Sequence, residues 1–168
     1  MSTMTTTAMV VALVCAAGGC GAPPDGASTM VDEVRAKYGF TAGPGVTFAV
    51  VPEVEGEIPA EIEGDEVRLG SGAFRDEKTL ARTIGHQLVH LSLARSLGDY
   101  TDTEEGAHFA EWQAYAWEAC FDAGLGGGAE GGRESSVEAR ESERRAYLAL
   151  RGGRPPLPGI TCGAALAW

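Results

Sequence analysis

Residues 76–98, DEKTLARTIGHQLVHLSLARSLG, decide the architecture. Leu80, Ile84, Leu88, Leu91 and Leu97 recur at the spacing of a helix with an apolar face. Asp76 can cap its start, Glu77 adds negative charge to the first turn, and Gly98 can end it. Inside this helix, His86-Gln87-Leu88-Val89-His90 sets two imidazoles four residues apart. That is little more than one turn, so both lie on one face with Cβ atoms about 5–6 Å apart. Their nitrogens can then reach one ion at about 2.0–2.1 Å, the distance zinc takes. The chain of 168 residues has only 3 histidines, so two of them paired on one face are informative.

Downstream, the polar stretch 99–105 (DYTDTEE) reads as a loop. A second helix is predicted from about Ala107 to Ala123, ended by Gly124. It carries His108, Glu111 and Tyr115. A hydrolytic zinc takes three protein ligands. Glu111 can be the third if the second helix folds back on the first; His108, three residues earlier on the same face, competes on spacing alone. Trp112, Tyr115 and Trp117 read as core aromatics. Residues 124–133 (GLGGGAEGGR) form a flexible connector, with no lysine or strand–loop–helix frame for phosphate binding. Residues 134–153 mix charges of both signs and predict a solvated helix with one thin apolar edge. The segment 152–168 is expected to be an extended tail, packing back through Leu166 and Trp168.

Upstream, Val46–Val51 (VTFAVV) is a β-branched apolar run ended by Pro52 and reads as a strand. An acidic stretch punctuated by Pro and Gly follows at 53–65 (EVEGEIPAEIEGD). Glu66–Leu69 then alternates polar and apolar and reads as a second strand or hairpin partner. Thr29 can cap a short helix over 29–39, with Met30, Val31, Val34 and Tyr38 on one side.

TIGHQLVH (83–90) followed by EWQAY (111–115) resembles the gluzincin type of zinc metallopeptidase, with HExxH on one helix and a ligand Glu on the next. DEVRLGSGAF (65–74) ahead of the histidine helix is similar to the small metallopeptidase domains of bacterial toxins and secreted proteins. In those a strand precedes the active-site helix and offers an edge to a peptide substrate. The resemblance covers roughly Val46 to Ala123. It implies zinc held by His86, His90 and Glu111, Tyr115 in support of a ligand, and a peptide or protein as substrate. It favours Glu111 over His108, which would then be free to donate a hydrogen bond to substrate, as would Tyr100 or Tyr115. The expected fold is α+β and zincin-like: a small antiparallel sheet packed on the two main helices, with the metal between them.

One position departs from the family pattern. Its general base is a glutamate directly after the first histidine, and here that residue is Gln87. A carboxylate there takes the proton of the attacking water and passes it to the leaving amine. An amide keeps the shape and can hydrogen-bond, but it is no base near neutral pH. General acid–base catalysis supplies about 10²–10⁴-fold, so peptide hydrolysis is expected to be weak or lost. Glu104, Glu105 and Glu118 are the carboxylates that could act from another direction. The alternative is a secreted or lipid-anchored binding module, either a pseudoenzyme or free of metal.

Composition narrows the partners. Thirteen Lys and Arg against 24 Asp and Glu give a formal charge of −11, which excludes a phosphate-backbone ligand. Ala8–Ala17 (AMVVALVCAA) is an apolar run of signal-peptide length, too short to span a bilayer. Gly18-Gly19-Cys20 after it resembles a bacterial lipoprotein cleavage site, so export and a lipid anchor at Cys20 are expected. In an oxidising compartment Cys120 and Cys162 could bridge. The organisation expected is a leader and linker over 1–27, one domain over 28–151 and the tail over 152–168, in a monomer.

Overall fold

The computed structural model describes residues 22–52, 54, 59–124 and 133–159, with side chains of 133–136 excepted. The leader with Cys15 and Cys20, the connector after Gly124, and Cys162, Leu166 and Trp168 lie outside the described residues. No helix among the described residues is long and apolar enough to cross a membrane.

Over the described residues the chain is α+β, with four α-helices and a three-stranded sheet. Helix α1 spans Ala27–Tyr38, followed by β1 (Thr47–Val50), β2 (Ala60–Glu63) and β3 (Glu66–Leu69). A 3-10 turn, Ser71–Phe74, leads into α2 (Glu77–Leu97); a second, Gly98–Asp102, leads into α3 (Glu104–Gly124). Helix α4 spans Arg133–Arg151. Asp76 caps α2, its carboxylate accepting from the Thr79 backbone N–H at 2.7 Å. Thr29 does not cap α1: the helix begins two residues earlier, after Gly26 at φ +78°, with no side-chain cap.

The sheet corrects the expectation of an antiparallel pair. It is mixed, in the order β1-β3-β2, with β1 parallel and β2 antiparallel to β3. The cause is β2, which forms inside the acidic stretch to which the sequence assigned no element. It turns into β3 through Gly64-Asp65, with Gly64 at φ +62°, a two-residue hairpin that pairs Glu63 with Glu66. This added reversal brings β3 out parallel to β1. The four-residue β2 is left as an edge strand, its acidic side chains Glu61 and Glu63 held by Arg68 across the pair.

Helix α2 is the centre of the molecule. Leu80, Ile84, Leu88 and Leu91 pack with Val67 and Leu69 of β3 and Val31 and Val34 of α1. Its other side meets α3, so Thr83 through Val89 are buried on all sides, His86 and Gln87 among them. Below them, Tyr38, Phe40, Trp117 and Phe121 form an aromatic cluster joining α1 to α3. Helix α4 is a helix as expected, but it is docked along α3 rather than merely solvated. Tyr147 is fully buried between Phe109 and Trp112. The chain after α4 has no regular structure over 154–159 and returns along the helices: Leu157 N–H donates to the Tyr147 hydroxyl at 2.8 Å. Cys120 is disulfide-bonded, and every other cysteine of the chain lies outside the described residues.

Candidate metal centre

Two glycines let the site form. Gly85 has no side chain where the Trp117 ring crosses α2, and a Cβ there would collide with it. Gly106 similarly accepts the Tyr100 carbonyl against the first turn of α3. With α2 and α3 this close, His86, His90 and Glu111 converge, all three offering a ligand atom within 4.8 Å of one another.

The spacing can be tested against zinc. Ligand atoms at about 2.0–2.1 Å from a tetrahedral ion stand about 3.4 Å from each other. His86 Nε2 and His90 Nε2 are 3.1 Å apart. Glu111 Oε2 stands 3.4 Å from His86 Nε2, and its other oxygen, Oε1, stands 3.4 Å from His90 Nε2, so each imidazole faces a different oxygen and one ligand atom from each residue lies within 4.8 Å of the others. Moreover, Glu111 Oε2 is buried and, among the described residues, has no hydrogen-bond partner, the nearest donor atom being His86 Nε2 at 3.4 Å, and a bound cation would satisfy it. Two imidazoles and one carboxylate form a donor set that zinc accepts in open, three-ligand sites.

His86 is held from behind. Its Nδ1 lies 2.7 Å from Glu118 Oε1, so the ring donates Nδ1–H to that carboxylate and Nε2 faces the centre. Tyr115 meets the His86 ring edge-on, with centroids 5.2 Å apart. Burial is the largest influence on His86 and disfavours its cation. The carboxylates of Glu111 and Glu118 beside the ring outweigh burial and raise its pKa to about 9. Burial likewise opposes ionisation of Glu111, but the imidazoles of His86 and His90, each 3.4 Å away, hold its carboxyl far below the usual range. Without metal, the centre is therefore a buried cation–anion pair at neutral pH.

The remaining candidates separate. Gln87 is buried, with its amide aimed at the Ala60 carbonyl of β2 across a long 3.5 Å contact. His108 turns toward α4, its Nδ1 2.6 Å from Glu143, and is not in the group of three. The helical angle between positions 108 and 111 is enough to send one side chain to α4 and the other to α2. Tyr100 donates to Glu105 at 2.8 Å, and Glu105 also takes Arg151, which commits both at the far end of α3. Glu118 stands behind His86 rather than beside an attacking water. Its orienting part was missed because a carboxylate seven residues after Glu111 is informative only once α3 is known to lie along α2. A cavity of about 290 Å³ opens beside His90 and Glu111, walled by Ile62, Leu91, Ala94 and Ala110.

Comparisons with protein-family models, with curated proteins and with solved structures find no match for this chain.

Proposed function

We propose that this chain is a zinc-binding, zincin-like domain of the metallopeptidase kind, which engages peptides and hydrolyses them weakly or not at all. The observation that carries this reading is the convergence of His86, His90 and Glu111, whose ligand atoms, one from each residue, lie within 4.8 Å of one another. Zinc, when bound, would supply Lewis-acid polarisation of a carbonyl oxygen. The chain's own residues supply the rest. The unpaired edge of β2 can take an extended peptide by main-chain hydrogen bonds, beside the cavity at His90. Glu118 fixes the ring of His86. Gln87 stands in sequence where a carboxylate base is needed and cannot accept a proton near neutral pH. Export and a lipid anchor at Cys20 belong to the same proposal and rest on the sequence alone.

The test is metal content by mass spectrometry on the full chain folded with zinc. About one zinc per chain is expected, lost in His86→Ala and in His90→Ala, with peptide hydrolysis appearing or rising in Gln87→Glu. Wild-type protein that holds no zinc would overturn the reading and leave a metal-free module whose histidines serve packing.

A further inference from the structure

Behind the metal centre, α2 and α3 are joined by a ladder of charge. Lys78, Arg82, His86 and His90 follow one face of α2 at four-residue intervals, and Glu111, Glu118 and Asp122 follow the facing stripe of α3. The helices run antiparallel, so the rungs match in order. One terminal nitrogen of Arg82 donates to both oxygens of Asp122, at 2.9 and 3.0 Å, and Lys78 stands 3.3 Å from the same carboxylate. Arg82 Nε is buried without a hydrogen-bond partner among the described residues and faces Glu118 Oε2 at 4.0 Å. Glu118 places its other oxygen on His86 Nδ1.

We infer that Arg82 is a positioning residue for the metal centre: pinned by Asp122, it holds Glu118 on His86 and so keeps His86 Nε2 turned to the ion. Glu118 is only 8% exposed, and a carboxylate that buried needs a cation or donors around it to stay ionised and in place. His86 occupies one oxygen. Arg82 is the nearest cation to the second, and it cannot drift, because Asp122 fixes its far end. With Arg82 gone, Glu118 must turn toward water or another donor, and the imidazole loses its acceptor. Arginine suits the position because its charge is spread over a long planar group, which reaches Asp122 with a terminal nitrogen while Nε stands 4.0 Å from Glu118, whereas a lysine offers one point of charge. The consequence for zinc rests on the function proposed above; the consequence for the ring of His86 does not.

The experiment uses the full chain with Arg82→Gln, and Asp122→Asn as a second variant that unpins Arg82 without removing it. Two quantities are read: zinc affinity against a competing chelator, and the His86 Nδ1–H proton signal by NMR in metal-free protein. Glu118 shields that proton from exchange, so wild type should show it. Each variant is expected to lose the signal and to bind zinc about 10–100-fold more weakly. A folded variant with reduced thermal stability but an intact signal overturns the inference, whatever its zinc affinity. If wild type binds no zinc, the zinc reading fails, yet loss of the signal in Arg82→Gln still upholds the Arg82–Glu118–His86 linkage.

Discussion

Gly85→Ala is the sharpest test of how α2 and α3 build the centre. A Cβ at position 85 would lie 1.8 Å from Trp117 Cη2. Carbon atoms pack at about 3.5–4.0 Å, so the helices must separate by about 2 Å or the indole must leave. The indole is not free to leave, because it stacks on Phe121 at 5.1 Å and meets Phe40 at 5.9 Å. Separation is ruinous for the centre, since ligand positions tolerate about 0.2 Å and Glu111 would be carried roughly ten times that far. For stability the two effects oppose. Ala gains about 1 kcal/mol over Gly inside a helix, while overpacking costs about 1–3 kcal/mol. The net expected is a loss of up to about 2 kcal/mol, or about 4–8 °C in Tm at this chain length. Zinc affinity should fall by more than the ~10–100-fold typical of an outer-shell change. Thermal denaturation with and without zinc, together with chelator competition, reads both. Adding Trp117→Leu should restore part of the zinc affinity by making room for the new methyl group. A Gly85→Ala protein with raised Tm and unchanged zinc affinity would refute the close-approach explanation.

Three further outcomes follow from the same geometry. In metal-free protein the His86 pKa is raised from 6.5 to about 9, so its contribution is fully present below pH 6.5 and lost as pH rises through 9. Tm without metal should fall across that window, and zinc binding at pH 7 should release a proton measurable in weakly buffered solution; a flat profile and no release would contradict the pairing. Glu111→Ala should abolish tight zinc binding, whereas His108→Ala should leave it unchanged and cost at most about 1 kcal/mol through loss of the half-exposed Glu143 contact. The reverse result in chelator titrations would make His108 the third ligand. Tyr147→Ala should cost about 3–5 kcal/mol in urea unfolding, because the ring is fully buried, while Tyr147→Phe should cost about 1 kcal/mol by removing the acceptor for Leu157 N–H. Equal costs would show that the ring is not buried as described.

What was legible in the sequence was local. The cap at Asp76, the stop at Gly98 and the apolar repeat of α2 depend on residues within a few positions of each other. So does the placing of His86 and His90 on one face. The edge strand β2 was not legible: AEIE at 60–63 is short and acidic, and it becomes a strand because β3 offers it a partner. Tyr147 was similarly concealed in a helix whose mixed charges suggested solvent around all but one thin apolar edge.

By itself the sequence determined an α+β chain with a paired-histidine helix and an amide, Gln87, directly after the first of the two histidines. Only the tertiary structure decided between Glu111 and His108 as the group facing both imidazoles, since the two share a helix and differ only in which neighbour each meets. It alone turned Glu118, Arg82 and Asp122 into a frame behind His86. Ligand geometry depends on distances of tenths of an ångström between separate helices, and these are set by how closely α2 and α3 pack at Gly85 and Trp117. Spacing along one chain carries no information about that distance.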